Sequence, residues 1–134
     1  MDVWFVDDRA ENRATWLASF PPAVREACTL RVFGTVPEIL GALEAGEWPD
    51  VVFVDFFIGG HYGLEVVERL IAGEAPVPLI IAHSSMREAN AGLLRAGAHL
   101  AMEKVRGAAK TRSIVEAFGS PEDLRQLVRQ YRDA

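Results

Sequence analysis

Three acidic positions and one lysine carry the chemistry open to this sequence. Asp7 and Asp8 follow an apolar run at residues 3–6, Asp55 follows a second at 51–54, and Lys104 follows a mixed run at 99–103. His83 and Ser84 come directly after a third apolar run, 77–82. If these runs are parallel strands, all of these residues fall at one edge of a sheet. Carboxylates that converge there repel by about 4 kcal/mol per pair at ~4 Å and an effective dielectric near ~20. A divalent hard cation plus one ammonium supplies the missing charge, and few oxygen ligands in an incomplete shell suit Mg2+ better than a closed Ca2+ cage. A site neutralised in this way can accept a phosphoryl group. The exposed carboxylate is then the nucleophile, the product is an acyl phosphate, and a short hydroxyl can bind the new phosphoryl oxygens.

The elements that must position these groups are legible. The runs at 3–6 and 51–54 are nearly continuous in apolar residues, as in strands buried on both faces, and 77–82 is a third of that kind. Residues 29–33 and 99–103 mix polar side chains into the pattern, which suits edge strands. Helical patterns alternate with the strands. One runs around Trp16, Leu17, Phe20 and Val24 and is interrupted at Pro21-Pro22. A second starts at the capping box of Thr35 and Glu38 and closes at Gly46. A third follows Gly63, a fourth spans Ala89, Leu93 and Ala96 before Gly97, and the last starts at Ser120-Pro121 with Leu124, Leu127, Val128 and Tyr131 inward. The alternation predicts an α/β fold: a flavodoxin-like, doubly wound, five-stranded parallel sheet in the order 2-1-3-4-5, with helices on both faces.

The 134 residues fit one domain, 1–134, with an extended connection at about 105–119 before the terminal helix. That connection can hold a short extra helix through Ile114, Val115 and Phe118. Half the residues are hydrophobic, enough for a core without staples, and the net charge of −5 argues against nucleic acid as a direct partner. Residues 1–103 carry seven basic and fifteen acidic side chains, whereas 104–134 carry seven basic and four acidic. The basic tail end fits an acidic partner or self-association as a homodimer. A single cysteine, Cys28, excludes an internal disulfide, and no leader or bilayer-length apolar run is present, so a soluble cytoplasmic protein is expected. His61, His83 and His99 lack metal-ligand spacing, so no transition metal is assigned.

The acidic pair, Asp55 with Gly63 eight residues on, the hydroxyl after the fourth strand, and Arg95-Ala96-Gly97-Ala98 ahead of Lys104 together resemble the receiver (CheY-like) domain of two-component response regulators. The resemblance spans roughly residues 2–133. It implies that Asp55 is the phosphoacceptor for a histidine kinase or histidine phosphotransfer protein. Asp8 would ligate Mg2+ directly, Asp7 would help through water or from behind the direct ligands, and the backbone carbonyl of Phe57 would be the third protein ligand. Lys104 would pair with the acceptor or its phosphate, and Ser84 would be the switch hydroxyl whose movement reshapes an output surface. The expectation is a stand-alone phosphoacceptor signalling domain rather than an enzyme, passing its state to an output protein.

The sequence departs from that pattern in several places. Counting from the strand start puts His83 at the switch position, chemistry favours Ser84, and Ser85 is a third option. Ala101 stands where the family has an aromatic switch residue, Val105 follows Lys104 in place of proline, and the loop from Phe56 to Gly60 lacks the usual proline. The adjacent Phe56 and Phe57 cannot both enter one core, which leaves one for a partner. These departures support an alternative, a phosphorylation-independent pseudo-receiver acting as an interaction module. A dehalogenase-type phosphatase would need an acid at position 9, where the residue is arginine.

Overall fold

The computed structural model describes residues 1–104 and 118–132. The central strands are β1 (Asp2–Val6), β3 (Val51–Val54) and β6 (Leu79–Ala82), flanked by β2 (Thr29–Phe33) and β7 (Leu100–Ala101). All pair in parallel in the order β2-β1-β3-β6-β7. In chain order this is the expected 2-1-3-4-5, because β4 (Phe57–Ile58) and β5 (His61–Tyr62) form a separate antiparallel hairpin. Two runs shorten. Val77 and Pro78 stay outside β6, and β7 is two residues long where 99–103 was expected.

Apolar runs form the central strands because alternate side chains enter two different cores. Trp4, Val6, Val52, Val54, Ile80 and Ala82 meet α3 (Val36–Glu44), α4 (Gly63–Ala72) and α5 (Arg87–Ala96). Val3, Phe5, Val51, Phe53, Leu79 and Ile81 meet α1 (Ala10–Ser19), α2 (Pro22–Ala27) and α6 (Pro121–Arg132). The second layer is aromatic: Trp16 stacks on Phe5, and Phe20, Phe53 and Phe118 meet it or one another at ring centroid distances of 4.8–6.3 Å. Each such ring, fully buried, contributes about 1.5–3 kcal/mol.

Helix boundaries follow their local chemistry. Pro22 sits at the first position of α2, so the Pro21-Pro22 interruption starts a new helix. The Thr35 hydroxyl accepts the Glu38 N–H at 3.2 Å, and Ser120 does the same for Asp123. Arg125 and Arg129 of α6 both turn onto Glu122, so part of the basic charge is met within its own helix. The expected extra helix and most of the 105–119 connection, including the Lys104–Val105 peptide, lie outside the described residues. Among those described, no helix is long and apolar enough to cross a membrane.

Register decides what reaches the sheet's carboxyl edge. Val6 aligns with Val54 and Val54 with Ala82, so the residues that follow, Asp7, Asp55 and His83, emerge at one level. Ala101 aligns with Ala82, which places Lys104 two residues beyond that level on the neighbouring strand.

Candidate functional site

Asp7 has no solvent exposure and is saturated with donors. Its Oδ1 accepts from Arg9 N–H at 2.9 Å and Asn12 Nδ2 at 3.1 Å, and its Oδ2 accepts from Asn12 Nδ2 at 3.2 Å and Lys104 Nζ at 2.5 Å. Both its backbone poles are also held, by Phe33 C=O and by the Arg13 guanidinium. This buried carboxylate is stable because its full acceptor capacity is used and a cation lies against it. Asn12 and Arg13 were not singled out from sequence. Their signal was position: both lie in the first turn of the helix that follows Asp7.

Lys104 bridges two carboxylates, since its Nζ also donates to Asp55 Oδ2 at 2.7 Å. The Asp55 side chain is 13% exposed, and its Oδ1 accepts the N–H of Phe56 at 2.8 Å. Burial pushes the Asp55 carboxyl above its ordinary value, and the nearby Asp7 charge adds to the rise. Lys104 and the Phe56 N–H oppose it. Asp8 is exposed and takes the Gly59 N–H at 3.2 Å. Oxygens of Asp7, Asp8 and Asp55 lie within 4.8 Å of one another, so each pair repels by at least about 3.5 kcal/mol at an effective dielectric near ~20. Lys104 offsets this at Asp7 and Asp55, and the open side at Asp8 keeps an excess of negative charge.

The segment after Asp55 is not a free loop. Phe57-Ile58 and His61-Tyr62 pair across Gly59-Gly60, whose φ values of 51° and 84° make a two-residue turn with both centres left-handed. A Gly-Gly pair between two short apolar or aromatic dipeptides was the signal for this hairpin. In such a hairpin Ile58 and His61 form the hydrogen-bonded closing pair and Phe57 with Tyr62 the non-bonded pair, so the Phe57 carbonyl points out of the ladder. The next rung returns in register, with Gly63 N–H donating to Phe56 C=O at 2.7 Å. Gly63 has no room for a side chain: a Cβ there would sit 1.9 Å from the Asp55 carbonyl oxygen. Phe56 turns inward against the core beside Gly92 of α5, while Phe57 is 54% and Tyr62 50% exposed. One of the adjacent phenylalanines is therefore outward, as expected.

No family model matches this sequence, and no curated protein does. Solved structures do. A receiver domain protein (CheY-like) from Methanospirillum hungatei JF-1 superposes with a TM-score of 0.70 at 17% identity, covering 98% of this chain and 96% of that one. This is the receiver fold. The signal receiver domain of a DNA-binding response regulator from Colwellia psychrerythraea 34H gives 0.70 at 20% identity, over 97% and 99% of the two chains. The response regulator domain of Thermotoga maritima CheB gives 0.69 at 21%, over 100% and 97%.

Within the receiver fold, the three switch candidates separate. His83 is buried, edge-on to Phe5 and Phe53, with Nδ1 2.6 Å from Met102 C=O. Because a carbonyl only accepts, Nδ1 carries the proton. Burial pushes this imidazole down to about 4, so at neutral pH it is uncharged. Ser84 is buried too, and its Oγ accepts the Met86 N–H at 3.2 Å. Its backbone carbonyl, in turn, takes the Lys104 N–H at 3.1 Å. Ser85 is half-buried. The structure thus joins Asp7, Asp55 and Lys104 by direct contact, brings Asp8 beside them, and ties Ser84 to Lys104 through main chain. Ala101 is exposed on β7. His99 accepts the Ile80 N–H at 3.0 Å and His61 lies 3.5 Å from Glu65, so neither reaches the acidic cluster.

Proposed function

We propose that the protein is a phosphorylatable receiver that takes a phosphoryl group from a histidine kinase or histidine phosphotransfer protein onto Asp55. The observation that carries this reading is the lysine bridge: a single ammonium shared by buried Asp7 and partly open Asp55 at the carboxyl edge of the sheet. Asp55 is the carboxylate of the bridge that keeps some access to solvent, so it is the one an incoming phosphohistidine can reach. Its oxygen forms the new O–P bond as the donor's P–N bond breaks, and the imidazole leaves with the electron pair and takes a proton from solvent. The Lys104 ammonium already lies on the attacking carboxylate and offsets the charge that the phosphoryl oxygens bring.

The residues fit a hard divalent cation because every donor is oxygen and the cluster is over-negative at its open side. Asp8, Asp55 and the outward Phe57 carbonyl would hold Mg2+, while Asp7, with both oxygens committed to four hydrogen bonds, would act through water. Bound there, the ion supplies neutralisation and polarisation of the phosphoryl oxygens. Ser84, two residues past the end of β6, is the switch hydroxyl on this reading, and its present bond to Met86 N–H has to be given up for it to reach a phosphate. The protein is expected to work in the cytoplasm and to pass its state to an output protein through a surface change.

A second reading has specific support. With Ala101 in place of a ring and the Ser84 hydroxyl committed elsewhere, the chain also suits a phosphorylation-independent interaction module. Incubation with Mg2+ and acetyl phosphate, beside Asp55→Asn, separates the two. An acid-stable, base-labile adduct on the unaltered protein alone is expected. Equal inertness of both proteins replaces the first reading with the second.

A further inference from the structure

Lys104 stands three residues past the end of β7, beyond the paired part of the strand. Three bonds fix the chain leading to it. Met102 N–H donates to Ala82 C=O at 2.8 Å, His83 Nδ1–H donates to Met102 C=O at 2.6 Å, and Lys104 N–H donates to Ser84 C=O at 3.1 Å. The last acceptor is itself held from α5. Asn90 Nδ2 donates to the same Ser84 carbonyl at 3.0 Å, and Asn90 Oδ1 accepts the Ser84 N–H at 2.8 Å. Asn90 is 4% exposed, so both poles of its carboxamide are spent on one residue in a dry setting. A leucine would fill that helix position without a polar group to satisfy. The use of asparagine there needs a reason beyond packing.

We propose that Asn90 is the positioning residue for Lys104: by gripping both backbone poles of Ser84 it fixes the carbonyl on which the Lys104 main chain hangs, and so sets the ammonium against Asp55. The strand ladder has already ended at this point, and the helix takes over its aligning role. Ser84 then serves through its peptide groups whatever its hydroxyl does. This inference deepens the phosphoryl-acceptor reading, and rests on it for one of its two readouts.

The test compares the full chain with Asn90→Leu, which keeps the side chain's heavy-atom count and removes both bonds, and with Asn90→Asp, which keeps the acceptor for Ser84 N–H. Leu93→Ala is the control, because it loosens α5 from the core and leaves both Asn90–Ser84 hydrogen-bonding groups in place. Amide hydrogen exchange by NMR and phosphoryl uptake from acetyl phosphate are measured on each. In Asn90→Leu, protection of the Lys104 and Ser84 amides falls roughly tenfold more than that of the central strands, and uptake slows by a similar factor. Asn90→Asp falls between, retaining protection at Ser84, and provides the comparison should the leucine variant not fold. Leu93→Ala lowers protection broadly without that selective loss. Unchanged Lys104 protection in both Asn90 variants, or the same selective loss in Leu93→Ala, overturns the proposal. If the unaltered protein takes up no phosphoryl group, the functional reading fails on its own, and the exchange pattern still decides the role of Asn90.

Discussion

Replacing Lys104 by methionine removes the cation that bridges Asp7 and Asp55 and keeps most of the side-chain volume. The structure sets the scale of the effect. Contacts of 2.5 Å to Asp7 and 2.7 Å to Asp55 are lost, and Asp7 is fully buried. The remaining oxygens, within 4.8 Å, then repel by about 3.5 kcal/mol or more at an effective dielectric near ~20. Breaking a buried pair of this kind costs about 3–5 kcal/mol. Urea denaturation followed by far-UV circular dichroism at pH 7 measures the loss. The same substitution in an Asp55→Asn background costs about 2 kcal/mol less, because the second carboxylate is gone, and the double-mutant cycle reads that difference as the coupling. The penalty of Lys104→Met also shrinks as pH falls through the carboxylate range, since protonating Asp55 does part of the lysine's work. A loss below about 1 kcal/mol, or one indifferent to residue 55, refutes the bridge as the site's electrostatic support.

Three further outcomes follow from the same geometry. Gly63→Ala forces a methyl group to within 1.9 Å of the Asp55 carbonyl, and backbone cannot yield as a side chain does, so a loss of about 3 kcal/mol or more is expected in the same denaturation assay, with impaired phosphoryl uptake in whatever folds. The raised Asp55 carboxyl means that the native state binds this proton more tightly than the unfolded chain. Stability from this group is therefore full below the ordinary value of 3.8 and is lost as pH rises through the native value. Asp55→Asn should match the unaltered protein at the acid end and gain on it as pH climbs, as read from paired melts across the carboxylate range; parallel curves contradict the burial argument. Adding Mg2+ at tenfold its dissociation constant stabilises the protein by about 1.4 kcal/mol in thermal melts, and Asp8→Ala abolishes the effect.

Much of the architecture was open to sequence reasoning because the central strands are buried on both sides. Runs such as 51–54 have no polar residue until the edge is reached, and that edge is where the acidic residues stand. Thr29–Phe33 was legible for the opposite reason: its exposed and sheltered residues alternate, as an outer strand's must. The hairpin after Asp55 was not anticipated, because two-residue strands carry no periodicity. Only the glycine pair marks them, and both glycines are used in a defined turn. The strand before Lys104 was taken too long, since Met102 still makes one ladder bond while Glu103 and Lys104 already leave to cross the site. Of the site itself, the charged residues were visible as types at strand ends. Their supports, Asn12, Arg13, Gly59 and Asn90, were not, because each acts through a backbone group or a second side chain and has no pattern of its own.

Asp7 never meets solvent, and every donor around it belongs to the chain. The lysine it shares with Asp55 is therefore anchored independently of whatever crowds the exposed side at Asp8. On the phosphoryl-acceptor reading, an approaching donor protein would strip water from Asp55 without unseating the Lys104 ammonium, so readiness for transfer would precede the encounter.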